Sequence, residues 1–424
     1  MTPATDRILT LDTVRGVAVM GILLLNIIAF AMPQAAYMNP RAYGGSDGID
    51  LAVWASNFVF FDGKMRGLFS FLFGASTLLV IDGAMAKGES AARVHYSRMI
   101  WLLVFGLLHL WLIWWGDILN HYAIIGMIAF AFRNAPVKRL IGIGIALLVL
   151  HLLLSLFTLL GLEFSRAGLS GTNAEVVRQS REMMDAFKLG FGIPGDAALT
   201  EAIGTHRGSW LEIARDRFKT AAWGPLTGLF MFGAETLAYM LFGMAAFRSG
   251  MLTGAWDRRR YIRWAAIGFG IGIPAYAALA AFMIASDFSM RSIVLGVLVL
   301  TVPIRPLMIM AWASLIVLLM RPGGMLTTRI AAAGRMAFTN YLATSLICTT
   351  LFYGYGLGWY GEMSRAEVYW VVFAVWALIL LWSKPWLDRF AYGPLEWLWR
   401  SLSRGSLQPM SAGALPRSIA NATQ

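Results

Sequence analysis

The run Arg7-Ile-Leu-Thr-Leu-Asp12-Thr-Val-Arg15-Gly16-Val-Ala-Val-Met-Gly21-Ile-Leu-Leu-Leu-Asn26 is nearly all apolar, yet it carries Asp12, Arg15 and Asn26. Read on to Met32, it supplies the ~20 residues that a helix needs to cross a bilayer core of ~30 Å. At ~100° per residue its three polar side chains fall within about 60° of one another, with Asn26 ~16 Å deeper than Arg15. A polar stripe at that depth faces a cavity or a neighbouring helix, not lipid. An Asp12–Arg15 pair with a packing asparagine is the plainer alternative. Gly16 and Gly21 admit close approach by the neighbour. A secretory leader has no use for such residues, so the run is expected to be retained as helix one.

The remainder of the chain is of one kind with this stretch. Of 424 residues, 58% are hydrophobic and only 14% charged, whereas soluble domains are about half apolar and about a quarter charged. A water-soluble fold of this length cannot hide so much apolar surface. The fold class is therefore all-α: a polytopic integral membrane protein with about ten transmembrane helices. The stretches are 13–32, 51–86, 99–117, 118–132, 139–161, 220–247, 264–285, 292–320, 336–355 and 367–383. The second is too long for one straight crossing and is expected to break at Gly63-Lys64-Met65-Arg66-Gly67.

Lys and Arg number 35 against 23 Asp and Glu, a formal charge of +12. With the N-terminus inside, the short inner loops collect Lys87, Arg93, Arg98, Arg133, Lys138, Arg139, Arg248, Arg258, Arg259, Arg260, Arg263, Arg321, Arg329 and Arg335. The short outer loops hold Arg41, Arg291 and Arg365. This asymmetry predicts N-in and C-in, and accounts for the charge without a nucleic-acid partner. Residues 162–219 form the one sizeable extramembrane insertion, placed outside. Amphipathic helices are expected near 174–188, capped by Thr172 or Asn173, and near 209–220, acting as a lid or as a solvated connector. Trp386, Trp397 and Trp399 among basic residues predict an interfacial helix. The single transmembrane domain is expected to end near residue 400, with 401–424 a polar, disordered tail. One cysteine, Cys348, and five histidines without HExxH spacing predict no metal site.

Ionisable residues at bilayer depth are functional candidates by default. Lys64 and Arg66 flank the break in the second stretch, where freed backbone groups beside cations suit an anion; snorkelling is the alternative for Arg66. Glu235 and Arg305 lie at matching depths and predict a buried ion pair. Pro303 and Pro306 bracket Arg305 and predict a kink or break there. His109, about ten residues into the third stretch, is the candidate general base. Asp117 is two turns further along a straight helix, ~12 Å away, and is expected at the outer mouth with His121.

Helix one, with its L-D-x-x-R-G-x-A pattern, resembles the opening helix of the transmembrane acyltransferase superfamily, which includes bacterial O-acetyltransferases and lysosomal heparan-glucosaminide acetyltransferases. The whole chain looks like the YeiB-like branch, domain-of-unknown-function family 418. The resemblance rests on Lys64-Met-Arg66-Gly-Leu-Phe-Ser-Phe-Leu-Phe-Gly74, Gly106-Leu-Leu-His109, Trp115-Gly-Asp117-Ile-Leu, Tyr122-Ala123, Gly334-Arg335-Met-Ala-Phe-Thr-Asn-Tyr341 and Gly393-Pro-Leu-Glu396-Trp-Leu-Trp399. In the O-acetyltransferase branch a histidine thought to be catalytic follows the helix-one arginine by eleven residues; here that position is Asn26, as in the glucosaminide acetyltransferases. Those enzymes place a histidine soon after the asparagine, whereas this chain has Tyr37 and no histidine before His95. The usual base is missing, and His109 is the substitute.

The resemblance implies an acyltransferase in the bacterial cytoplasmic (inner) membrane. Cytoplasmic acyl-CoA (acetyl-CoA) would be the donor, and a hydroxyl or amine of an extracytoplasmic glycan or lipid the acceptor. His109 and Asn26 are the expected catalytic pair. Arg15, Asp12, Lys64, Arg66, Asp117, His121, Glu235, Arg305 and Arg335 are the expected binding residues. A transporter or flippase-like protein moving a lipid or metabolite is the alternative, motivated by the broken helices.

Overall fold

The computed structural model describes residues 4–411, and they fold into helices with no strand among them. The first half runs α1 (Ala4–Ala31), α2 (Ala35–Met38), α3 (Gly48–Phe60), α4 (Lys64–Met85), α5 (Ala91–Leu112), α6 (Leu119–Ala129) and α7 (Val137–Gly168). The insertion follows as α8 (Ala174–Phe191), α9 (Asp196–His206) and α10 (Trp210–Thr220). Then come α11 (Gly224–Arg248), α12 (Arg258–Ala285), α13 (Met290–Ile293), α14 (Arg305–Leu319), α15 (Met325–Arg335), α16 (Ala337–Phe352), α17 (Val368–Arg389) and α18 (Pro394–Arg404).

Six segments are long and apolar enough to cross a bilayer: Leu9–Ala31, Gly48–Met85, Val137–Gly168, Gly224–Arg248, Arg258–Ala285 and Val368–Arg389. Leu119–Phe132, Met290–Val299, Arg305–Leu319 and Ala337–Phe352 are shorter apolar helices. This is a membrane protein. α7 turns Ile145, Val149, Phe157 and Phe164 outward, as a lipid-facing helix does. α1, in contrast, lies inside the bundle, with Val14, Ala18 and Ile27 fully buried.

Small residues set how closely the inner helices approach. A Cβ on Gly243 of α11 would lie 1.7 Å from the Phe71 carbonyl of α4, and one on Gly74 of α4 1.9 Å from the Met240 carbonyl of α11. α1 and α15 meet in the same way, with Gly16 against the Ile330 carbonyl and Gly334 against that of Asp12.

Two helices are interrupted. The break between α3 and α4 falls at Phe61–Gly63, a few residues before its expected place. The N–H groups of Phe61 and Asp62 both donate to the Asn57 carbonyl at 2.8 Å, and Gly63 takes a left-handed φ of +69° before α4 begins. The second break precedes α14. Residues Val294–Val299 wind as a π-helix, a turn follows, and α14 restarts at Arg305 with Pro306 in its first turn, where a missing N–H costs nothing.

The insertion is helical and docked onto the bundle. Asn173 caps α8 by accepting from the N–H groups of Glu175 and Val176, and Ser209 with Glu212 forms a capping box on α10. α9 was not expected from the sequence. Arg207 donates to the Tyr360 carbonyl, and Trp210 to the Leu112 carbonyl at the end of α5. The tail departs from expectation over 401–411. α18 continues to Arg404, Ala391 N–H donates to the Met410 carbonyl, Trp397 Nε1 donates to the Gln408 carbonyl, and Phe390 bridges to Ser411. The remainder of the expected tail, 412–424, lies outside the described residues.

Candidate functional site

α5 ends at Leu112. The N–H groups of Ile113 and Trp114 both close onto the His109 carbonyl, and the chain turns sharply before α6. That turn carries Asp117 back to His109: Nδ1 of His109 lies 2.6 Å from Asp117 Oδ2. The straight-helix expectation of a wide separation is therefore corrected. The other carboxylate oxygen, Oδ1, accepts from the backbone N–H of Asn120 at 2.9 Å and from its side chain at 2.7 Å. A carboxylate in its ionised form only accepts, so opposite it Nδ1 is the donor and Nε2 is the nitrogen turned away from Asp117. His109 is 1% exposed, and its Nε2 is buried without a hydrogen-bond partner.

Aromatic rings enclose this dyad. Tyr341 of α16 lies 5.4 Å from the imidazole and Trp114 6.2 Å, and Phe30 of α1 stacks on Trp114 at 3.9 Å. Tyr341 and Phe30 also line a cavity of about 250 Å³, mouth included, together with Val19, Ile22, Leu23, Asn26, Thr344 and Ser345. Asn26 makes no side-chain hydrogen bond to any described residue. Tyr341 thus touches the His109 ring and also borders the cavity that Asn26 lines, and sequence reasoning picked out neither Tyr341 nor Asn120 as part of the site. Tyr341 closes one of the motifs behind the family resemblance, and Asn120 stands three residues after Asp117, the spacing of a helix cap.

The rest of the helix-one stripe does a different job. Arg15 Nη1 pairs with Asp12 at 2.6 Å, Nη2 donates to Ser76 of α4 at 3.0 Å, and the Gly334 carbonyl is 3.5 Å away. Arg15 clamps α1 to α4 and α15.

Lys64 and Arg66 part company, correcting the expected shared anion site. Lys64 is wholly buried; its ammonium donates to the Phe58 carbonyl at 2.5 Å and sits 3.1 Å above the ring of Tyr276. Arg66 donates to Glu235 Oε2 at 2.5 Å. Glu235 is the centre of a buried cluster: Oε1 accepts from Arg305 Nη1 and, at 2.9 Å, from the Tyr239 hydroxyl. Arg305 Nη2 donates to Thr301 Oγ1 at 2.6 Å and to the Val297 carbonyl freed by the helix break. His121 bonds Thr236 Oγ1 at 2.9 Å and not Asp117. Arg335 reaches the Ala391 carbonyl at 3.4 Å, away from the dyad.

Apolar helices enclosing a histidine–aspartate dyad and a three-residue ion cluster define a polytopic membrane protein with a polar interior. The chain matches the family model described as "Protein of unknown function (DUF418)" over residues 246–406. It is 33% identical to "Uncharacterized protein YeiB" of Escherichia coli (strain K12) over 412 residues, covering 95% of this chain and 98% of the relative. It is 30% identical to "Uncharacterized protein YxaH" of Bacillus subtilis (strain 168) over 427 aligned positions, 97% of each. An "Uncharacterized 39.9 kDa protein in amylase 3'region" of Bacillus acidopullulyticus is 22% identical over 402 residues. The chain belongs to the YeiB-like DUF418 family. No solved structure matches it.

Proposed function

We propose that this protein is an acyltransferase of the bacterial inner membrane, crossing it ten times with both ends in the cytoplasm. It moves an acyl group from cytoplasmic acyl-CoA to a hydroxyl or amine of an extracytoplasmic glycan or lipid. The observation that carries this reading is the buried dyad: Asp117 bonds to Nδ1 of His109, and Nε2 is left unbonded. That is the arrangement a general base requires.

In the proposed reaction the acceptor oxygen or nitrogen attacks the thioester carbonyl carbon while His109 Nε2 takes its proton. Asp117 stabilises the imidazolium. The Asn26 amide, bordering the cavity beside Tyr341, donates to the carbonyl oxygen as negative charge builds on it. The carbon–sulfur bond then breaks, and the proton passes from His109 to the leaving thiolate, giving free coenzyme A and the acylated acceptor. Asp12 and Arg15 position α1, and hence Asn26; Glu235, Arg66 and Arg305 hold the helices around the site.

The test is binding of acetyl-CoA and longer acyl-CoAs to the purified protein, followed by transfer to a lipid or glycan acceptor. His109→Ala is expected to abolish transfer and to retain the wild-type elution profile and donor binding. Failure of the wild type to bind any acyl-CoA removes the reading. The two interrupted helices favour a second reading, a transporter of a lipid or metabolite, since Arg305 from one break abuts Gly63 of the other. Flux in proteoliposomes without an acyl donor is the result expected under that reading.

A further inference from the structure

A second and larger cleft lies on the other side of α1. It measures about 440 Å³ with its open mouth and is bordered on the α1 side by Leu24, Leu25 and Ile28. The dyad-side cavity uses Leu23, Asn26 and Phe30 of the same helix, so α1 is the wall between them. The far wall is polar and aromatic, and two of its charged groups have capacity to spare.

Asp62 sits in the turn before Gly63, held by its backbone N–H on the Asn57 carbonyl. Its carboxylate lines the cleft and makes no hydrogen bond or ion pair with any described residue. Lys64 and Arg305 lie within reach of its charge, but their hydrogen bonds and ring contacts are spent elsewhere: Lys64 on the Phe58 carbonyl and the Tyr276 ring, Arg305, like Arg66, on Glu235. Arg365, 3% exposed, is anchored through Nη2 on the carbonyls of Ala36 at 2.8 Å and Tyr43 at 3.3 Å. Neither its Nη1 nor its buried Nε has a hydrogen-bond partner among the described residues, and Arg365 lines the cleft. Tyr37, Trp54, Phe58 and Tyr369 line the same cleft.

One acid, one guanidinium, several aromatic rings and an aliphatic flank on a membrane helix together describe a zwitterion with an apolar tail. A carboxylate among rings attracts an organic ammonium, and a guanidinium nitrogen donates to a phosphate. We propose that this cleft binds a phosphoethanolamine-type headgroup, the ammonium on Asp62 and the phosphate on Arg365. The aliphatic side chains of α1 face the attached chains when the source is a phospholipid. The site is independent of acyl transfer at His109.

Protein in nanodiscs is assayed for retained lipid by native mass spectrometry, with phosphatidylethanolamine or phosphatidylglycerol supplied. Soluble phosphoethanolamine is titrated separately, following thermal stabilisation. Selective retention of phosphatidylethanolamine is expected, reduced at least tenfold in Asp62→Asn, whose elution and melting profiles match the wild type. Binding of soluble phosphoethanolamine at equal affinity, lost in the same variant, supports the site with a soluble ligand in place of a lipid. Equal retention of the two lipids, or undiminished retention by Asp62→Asn, overturns the proposal. Should Asp62→Asn fail to fold, the wild-type comparison decides: stabilisation by glycerol phosphate, which lacks the ammonium, equal to that by phosphoethanolamine overturns it. Since none of these readouts uses acyl-CoA, their failure leaves the acyltransferase reading untouched, and the converse holds.

Discussion

His109 and Asp117 are eight residues apart in the chain and 2.6 Å apart in space, joined by the turn that ends α5. The bond ties Nδ1 to the carboxylate and leaves Nε2 without a partner. Asp117→Asn preserves the shape of the turn and removes the charge that favours Nδ1–H and stabilises the imidazolium. Acyl-CoA-dependent transfer is expected to fall about 100- to 10,000-fold, the usual contribution of acid–base catalysis, with donor affinity unchanged. Steady-state kinetics beside equilibrium acyl-CoA binding checks this; a parallel loss of both points to misfolding instead.

Glu235 pairs with two guanidiniums inside the bundle. Glu235→Gln leaves Arg66 and Arg305 without a counter-charge, and breaking such a pair costs about 3–5 kcal/mol. A marked drop in melting temperature in detergent is expected. Replacing Glu235 and Arg305 together by methionine is expected to be less damaging than Glu235→Gln alone, because fewer uncompensated charges stay buried.

Gly243→Ala tests the α4–α11 contact. The added methyl meets the Phe71 carbonyl, and the helices must separate at a cost of about 1–3 kcal/mol or more. Gly142→Ala on α7 has open space around it; there only helix propensity acts, worth about 1 kcal/mol in the stabilising direction. Thermal melts of the two variants are expected to move in opposite directions.

The capping box of α10 gives a pH signature outside the membrane. The Ser209 hydroxyl and N–H donate to Glu212 at 2.7 and 2.8 Å and hold its carboxyl below the ordinary value. A depressed folded-state pKa stabilises above the unfolded value of about 4.3 and loses that effect as pH falls through the folded one. Amides in the first turn of α10 are expected to exchange faster, after correction for intrinsic rates, below that window. Ser209→Ala is expected to show the faster exchange already at neutral pH.

The class of fold was legible because composition alone rules out a soluble core. The Glu235–Arg305 partnership was legible too, since residues at equal depth on neighbouring helices meet. The dyad was not: projecting Asp117 along a straight helix ignores that α5 stops at Leu112. Lys64 misled for another reason. A lysine beside a helix break looks like an anion site, but here a carbonyl and an aromatic face satisfy the ammonium. The tail was misjudged because its polar composition hides the backbone bond from Ala391 to Met410. Asn26 borders a cavity, whereas Arg15, expected on the same face, bonds to Asp12 and Ser76.

Gly63 leaves no room for a side chain: a Cβ there would lie 2.4 Å from Arg305 Nε. The kink of one helix is therefore keyed into the kink of another, like two bent rods hooked at the elbow. Anything larger than hydrogen at Gly63 has to displace the Arg305 side chain, and with it the bonds that Arg305 makes to Glu235 and Thr301.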